Sequence, residues 1–487
     1  MSCLRRDIKI CWIWISNNQF TPPVDADGVS YGFNMERIKL SEHFNYRRLL
    51  RFVLPSVIMM VFISVYSIVD GFFVSNFVGE VQFAALNLIF PFIMILGAVG
   101  FMLGTGGNAI VSKTLGEGNE KRANHIFSMI IYVTAIIGVG LSIIGILLAR
   151  PIATLLAKSE ENMSAEQKAE LIDYCVMYAR VILAALPAFM LQNSFQGFFV
   201  TAEKPRLGLY VTIFAGCGNI LFDALFIIVF KWGLLGAAAA TAFNQLLGGV
   251  FPLFYFGRKN DSLLRLGKTK FEGKVLLATS INGMSELFTN ISLSVVGIIY
   301  NTQLMKIVGI NGVSAYGVLQ YISFIFVAVF LGYSIGAAPI VGYHFGAQNH
   351  NELNNVYKKS LKLTGAVGVF MSIVGVVFAK LFASIFVSND VELLEMATRG
   401  IRLNSLAYLF CGFNIFASAF FTALGSGGIS LFISFSRTFV LQVICVLLLP
   451  IWFGLDGVWC ALVVAEAVSL LLSAGMLTIN RKRFHYA

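Results

Sequence analysis

The stretch GTGGNAIVSKTLGEGN at residues 104–119 has a second copy in this chain, SIGAAPIVGYHFGAQN at residues 334–349. One fixed offset superimposes Gly79 on Gly309, Gly106 on Gly336 and Gly116 on Gly346, and FVGEVQFAALNL at 77–88 then stands against IVGINGVSAYGVLQ at 307–320. Later in each half, FFVTAEKPRLGLY at 198–210 matches FFTALGSGGISLF at 420–432, and GLLG at 233–236 matches GLDG at 454–457. The chain is an internal duplication, and a duplication of this length dictates the architecture.

Long apolar runs fill the space between these landmarks. Of 487 residues, 57% are hydrophobic and 12% charged, with a mean hydropathy of +0.80. A run of roughly 20 apolar residues crosses a hydrocarbon core about 30 Å thick, and the sequence holds about twelve of them. They begin near Phe52, Ala84, Ile126, Tyr174, Leu207, Leu234, Val275, Val313, Leu363, Leu393, Ile429 and Val458. None shows the period-two alternation of a barrel strand, and only helices otherwise satisfy their backbone groups in lipid. The expected fold is an all-α polytopic membrane protein with twelve transmembrane helices in two pseudo-symmetric six-helix lobes. An even number of spans per copy gives both copies the same orientation, related by an axis along the membrane normal with a cavity between them. The expected boundaries are a cytoplasmic extension at 1–46, a first lobe at 47–257, a basic linker at 258–274, a second lobe at 275–480 and a tail at 481–487.

The net charge of +10 has a topological reading. Arg47, Arg48, Arg51, Lys113, Lys121, Arg122, Lys204 and Arg206 fall on one side, with the basic connection at 258–274, Lys358, Lys359, Lys362, Arg481, Lys482 and Arg483. That side holds roughly 20 basic residues against about 6 on the other, which places both termini in the cytoplasm of a multi-pass plasma (inner) membrane protein. Nucleic acid is excluded as a partner, since no loop is long enough to fold into a basic, aromatic-bearing module. The seven cysteines show no CxxC spacing and read as buried free thiols, and no cofactor or metal motif is present. Residues 1–34 read unlike the rest. Their apolar stretch at 11–15 is too short for a span or a signal segment, and Met35 opens what looks like the native start.

Asp70 and Asp223 stand inside spanning stretches. A carboxylate in hydrocarbon costs several kcal/mol unless it is protonated, paired or facing a wet cavity, so such residues mark proton or cation sites. Under the duplication Asp70 falls opposite Tyr300 and Asp223 near Cys445. The buried acids are therefore expected in the first lobe alone. Arg437 and Glu466, in the last two spans, read as a structural salt bridge. Glu286, near the start of the seventh helix, reads either as a cavity acid drawing cations or as a polar residue at a helix end. Gln192, Asn193 and Gln196 lie among Phe189, Met190, Phe195, Phe198 and Phe199. Unpaired amides do not face lipid, so these three are read as lining a substrate cavity. The small residues at 332–338 are assigned to close helix packing.

SVYSIVDGFFVSNFVG at 64–79, LGTGGNAIVSKTLGEGN at 103–119, FFVTAEKPRLGLY at 198–210 and GNILFDALFIIVFKWGLLGAAAAT at 218–241 resemble the multidrug and toxic compound extrusion (MATE) transporters, in their MepA-like bacterial branch. The likeness extends over residues 47–482. It implies two six-helix bundles in a V-shaped, alternating-access antiporter that exports cationic and amphipathic drugs in exchange for inward H⁺ or Na⁺, acting as a monomer among membrane lipids and needing no cofactor. It carries a first-lobe cation site onto Asp70, Tyr66, Asn219, Asp223, Thr241 and Tyr178, and a first-helix hinge onto Pro55. Asn219 and Asp223, four apart, share a helix face. The mid-helix Glu of the sodium-coupled branch has Ser292 near its place, and its role is not carried over to Glu286.

Two rivals fit less well. A membrane-embedded transferase needs acids, bases or metal ligands clustered at an interface, and the longest outer loop, at 150–173, shows only solvated charges. A flippase for lipid-linked oligosaccharides shares the broader fold but needs a basic cavity for pyrophosphate, where the buried charges of the first lobe are acidic.

Overall fold

The computed structural model describes residues 38–158, 164–387 and 390–486; the reading of residues 1–34 as non-native lies outside them. Every regular element among the described residues is a helix. The first half holds α1 (Tyr46–Phe77), α2 (Glu80–Gly116), α3 (Glu120–Ala157), α4 (Ala165–Ala184), α5 (Leu186–Thr201), α6 (Pro205–Asp223) and α7 (Leu234–Gly257). The second half holds α8 (Gly273–Val308), α9 (Ile310–Gly346), α10 (His350–Val377), α11 (Ala379–Phe386), α12 (Val391–Ser405), α13 (Tyr408–Ala423), α14 (Gly427–Phe435) and α15 (Leu441–Phe484).

Among the described residues, nine helical stretches are long and apolar enough to cross a membrane, and the bent pairs α4–α5 (52°) and α12–α13 (51°) each make one more span. The last stretch, Gly427–Phe484, has 58 residues. At 1.5 Å per residue it would be about 87 Å long, far more than one bilayer. It breaks at Gly454, whose φ of 54° lies in the region that favours glycine. Its duplicate Gly233 has φ 56° and separates the fifth span from the sixth. The same turn therefore divides the eleventh span from the twelfth, and twelve spans result.

The duplication also repeats local chemistry. Asn119 caps α3 by accepting from the Arg122 amide, and Asn349 caps α10 by accepting from the Glu352 amide. The halves keep separate cores: the buried members of one cluster run from Val296 to Ala465, and those of the other two from Val74 to Leu264.

Where the halves meet, the repeat glycines form the seam, α2 packing on α8 and α9, and α1 on α9. A Cβ on Gly106 would stand 2.0 Å from the Thr279 carbonyl, and one on Gly283 would stand 1.9 Å from that of Met102. Gly116 and Gly346 face each other about the symmetry axis, their would-be Cβ atoms 2.0 Å from the carbonyls of Tyr343 and Lys113 respectively. Gly332 and Gly336 press on Val57 and Val53, as expected of the small residues at 332–338. This seam lies toward the end of the helices that carries the basic connections.

One other expectation meets the structure differently. Cys217 is exposed, since it sits on the outer face of α6. The first helix runs through Pro55 unbroken, and the marked bends fall between α4 and α5, between α12 and α13, and at Gly454.

Filling the seam tests it. Gly116→Ala drives a methyl into backbone and is expected to cost about 1–3 kcal/mol. Gly140→Ala, where nothing lies within 4 Å, is expected to be neutral or stabilising by up to about 1 kcal/mol. Melting temperatures of the purified variants in detergent check the pair.

Candidate cation site in the first half

Helix α1 brings Asp70 and Tyr66 to the last turn of α6, where Asn219 and Asp223 share a face. Asp223 is fully buried and Asn219 is 1% exposed, while Asp70 and Tyr66 are half-buried. The Asp70 and Asp223 carboxyls lie within hydrogen-bonding range of each other. Two carboxyls at that distance repel unless a proton or a cation stands between them. Tyr66 lies beside Asn244 on α7, and Tyr178 on α4 lies in electrostatic reach of both acids. Thr241 shares the helix face of Asn244 and Gln245, three and four residues on. Side chains from α1, α4, α6 and α7 therefore converge on the pair.

The polar atoms there have spare capacity. Asp70 Oδ1, both Asp223 oxygens, Asn219 Nδ2 and Asn244 Oδ1 are buried without a hydrogen-bond partner. Acceptor oxygens predominate in that set, which suits a proton or a hard monovalent cation. Directly after Asp223 the backbone changes to a π-helix, Ala224–Val229. Such segments are rare, and they cluster at functional sites.

Two contributors were not read from the sequence. Asn244 is an amide in an apolar span, a signal of the same kind as Gln192 and Asn193. Tyr321 comes from α9 in the other half: its hydroxyl stands 3.4 Å from where a Cβ on Gly71 would sit, and it lies in electrostatic reach of Asp70. Sequence separation hides that contact.

The residues read as a substrate cavity divide into three places. Gln192 and Gln196 line one narrow crevice, with room for little more than a water molecule, together with Phe195, Phe199, Gly208, Val211, Thr212 and Gly248. Asn193 is not among these residues and donates to the Phe189 carbonyl of its own helix. A step of one residue turns a helix by about 100°, which takes Asn193 off the face that Gln192 and Gln196 share. Glu286 is in the second half, mid-way along α8 rather than near its start, half-buried and in electrostatic reach of Arg437.

The second half also corrects the expectation that buried acids belong to the first alone. Glu466 is 2% exposed. Its Oε1 accepts from Arg437 at 3.2 Å and its Oε2 from Asn414 at 2.7 Å. Arg437 lies in a second π-helix, Ser436–Val440. Superposing the repeats compared like positions and so could not register an acid whose counterpart is an amide: Glu466 falls on Gln245.

Comparison with known proteins agrees with the duplicated helical fold. The MatE family model matches twice, at residues 55–225 and 287–448, once in each half. The multidrug export protein MepA of Staphylococcus haemolyticus (strain JCSC1435) is 23% identical over 440 residues, covering 90% of this chain and 94% of that one. A crystal structure of MATE in complex with MaL6 aligns with a TM-score of 0.83 at 22% identity, covering 90% of this chain and 97% of that one. An outward-facing multidrug resistance MATE family transporter of the MOP superfamily aligns at 0.81 and 21% identity, covering 90% and 96%. Matched by one family model in both duplicated halves, this chain belongs to the MatE family and is a membrane transporter, not an enzyme.

Proposed function

We propose that the protein is a multidrug efflux antiporter, exporting cationic and amphipathic molecules in exchange for inward H⁺, with Na⁺ as the alternative coupling ion, at the Asp70–Asp223 site. The observation that carries this reading is the convergence of two buried carboxyls with more acceptors than donors around them. A site holding one negative charge in hydrocarbon is neutralised either by the coupling ion or by the positive end of a substrate, and mutual exclusion of the two is antiport. The relatives described as multidrug exporters support the substrate class.

The two halves act as two lobes hinged about the glycine seam, the basic end lies in the cytoplasm, and one chain suffices for the cycle. A change in the protonation of Asp70 remakes its contact with the Asp223 cluster, and α1 bends near Pro55. Pro55 stands about 22 Å along the helix from Asp70, so the signal travels through the helix and its neighbours, not through contact. Gln192 and Gln196 line the substrate path, and Glu286 with Arg437 borders it from the other half. A pyrophosphate flippase fits less well, since Arg437, the buried cation, is already bracketed by Glu466 and Glu286.

Ethidium efflux from energised cells tests the coupling. Asp70→Asn or Asp223→Asn is expected to lower the efflux rate at least about tenfold, as is collapsing the proton gradient; full proton-driven efflux by Asp70→Asn would sink the mechanism. The Arg437–Glu466 pair is assigned a structural role. Glu466→Gln leaves a buried guanidinium uncompensated and is expected to cost about 3–5 kcal/mol in thermal unfolding, while the isosteric double variant Arg437→Met with Glu466→Leu recovers most of it.

A further inference from the structure

Two straps cross between the halves at the basic end. The segment before α1 belongs to the first half by sequence but docks on the second. The Phe44 amide donates to Glu352 Oε1 at 2.8 Å, His43 Nδ1 sits 2.6 Å from Glu352 Oε2, and Lys359 Nζ donates to the Phe44 carbonyl at 2.7 Å. Phe44 is fully buried against Phe52 and His344. Four residues before Phe44 the Leu40 amide donates to Glu203 Oε1 at 2.7 Å, tying the same strap to the α5–α6 connection of the first half.

The segment before α8 does the converse. Glu272 leads into the second half but takes a bidentate grip from Arg122 on α3, at 2.5 and 2.6 Å. His125 Nε2 accepts from the Lys270 amide at 2.9 Å, and Ser128 Oγ accepts from that of Gly267 at 3.0 Å. The offset that superimposes Gly106 on Gly336 places Arg122 on Glu352 and Glu42, beside His43, on Glu272. The two straps are therefore copies of one helix–strap contact in which the helix residue changes sign: Arg122 grips the strap's acid in one copy, and Glu352 takes the strap's backbone amide and imidazole in the other.

We propose that these cross-docked straps are paired latches that hold the basic ends of the two halves together, so that their charges set how often the transporter opens at that end. The inference rests on the alternating-access reading above. Any movement that separates α3 from α8, or α1 from α10, at this end must break a charge-assisted, partly buried contact on each side of the axis. The change of sign on the helix also keeps the acidic strap on its own site, since Glu272 meets a carboxylate if it is placed at Glu352. The Arg122 guanidinium holds the Glu272 carboxyl below the usual carboxylate range. A depressed carboxyl contributes its stabilisation above its unfolded value and loses it only as pH falls through the folded one, so this latch is present throughout the neutral range.

The test is a distance measurement between spin labels attached through non-canonical amino acids at Lys121 and Asn351, both exposed, on full-length protein in lipid nanodiscs. The wild type is expected to give mainly the short distance. Arg122→Gln and Glu352→Gln should each raise the longer-distance fraction about fivefold, with the double variant exceeding either. The exchange Arg122→Glu with Glu272→Arg should return the distribution to that of the wild type, which separates loss of the latch from loss of fold. Distributions unmoved by either single variant at unchanged melting temperature, or a charge exchange that restores melting temperature but not distance, would overturn the latch. Ethidium efflux in the same wild-type protein keeps the two readings apart. Efflux with unresponsive distances fails the latch alone, while responsive distances without efflux fail the export reading alone.

Discussion

A carboxylate cannot stand uncompensated in hydrocarbon, and this protein places two of them within hydrogen-bonding range of each other. The surrounding structure follows from that constraint. Four helices aim oxygen- and nitrogen-bearing side chains at one point, α6 gives up its regular hydrogen-bonding pattern just after Asp223, and Tyr321 reaches in from the opposite half. The pair stays low in energy only while a proton or a cation is with it, which ties occupancy of the site to the arrangement of the helices that carry it.

The two halves share a backbone and differ in charge. Asp70 and Asp223 have Tyr300 and Cys445 as counterparts, and Tyr300 is stacked on Tyr316 at 4.9 Å, an apolar solution in the same place. Conversely, Gln245 and Gln192 have Glu466 and Asn414 as counterparts, which with Arg437 close an ion-paired network. In the second half the buried acid pairs with a cation and an amide, although Asn414 Oδ1 and Arg437 Nε have no partner; in the first, two acids face each other, as the exchange site proposed for it requires. Duplication supplied the scaffold and divergence divided the work.

Much of this was legible in the chain. Apolar run length gave the spans, because hydrocarbon permits so few other patterns, and the repeat offset gave the pairing of halves, since the seam glycines are the positions where a side chain would strike backbone. Asp70 and Asp223 were visible as rarities. What the sequence hid was contact across long separations: Tyr321 beside Gly71, Glu286 near Arg437, and a strap at residues 40–44 reaching both Glu203 and Glu352. It also hid facing, which is why Asn193 parted from Gln192 and Gln196, and it gave no warning of the π-helices, whose extra residue per turn leaves no mark on hydrophobic periodicity.

The central claim is that coupling ion and substrate compete for the charge at Asp70 and Asp223. The direct measurement is proton release on adding a cationic drug to purified protein in weakly buffered detergent solution, wild type beside Asp70→Asn. Roughly one proton released per drug bound by the wild type, and none by the variant, is the predicted result. Drug binding of equal affinity without proton release in the wild type, unchanged by sodium, would contradict the account.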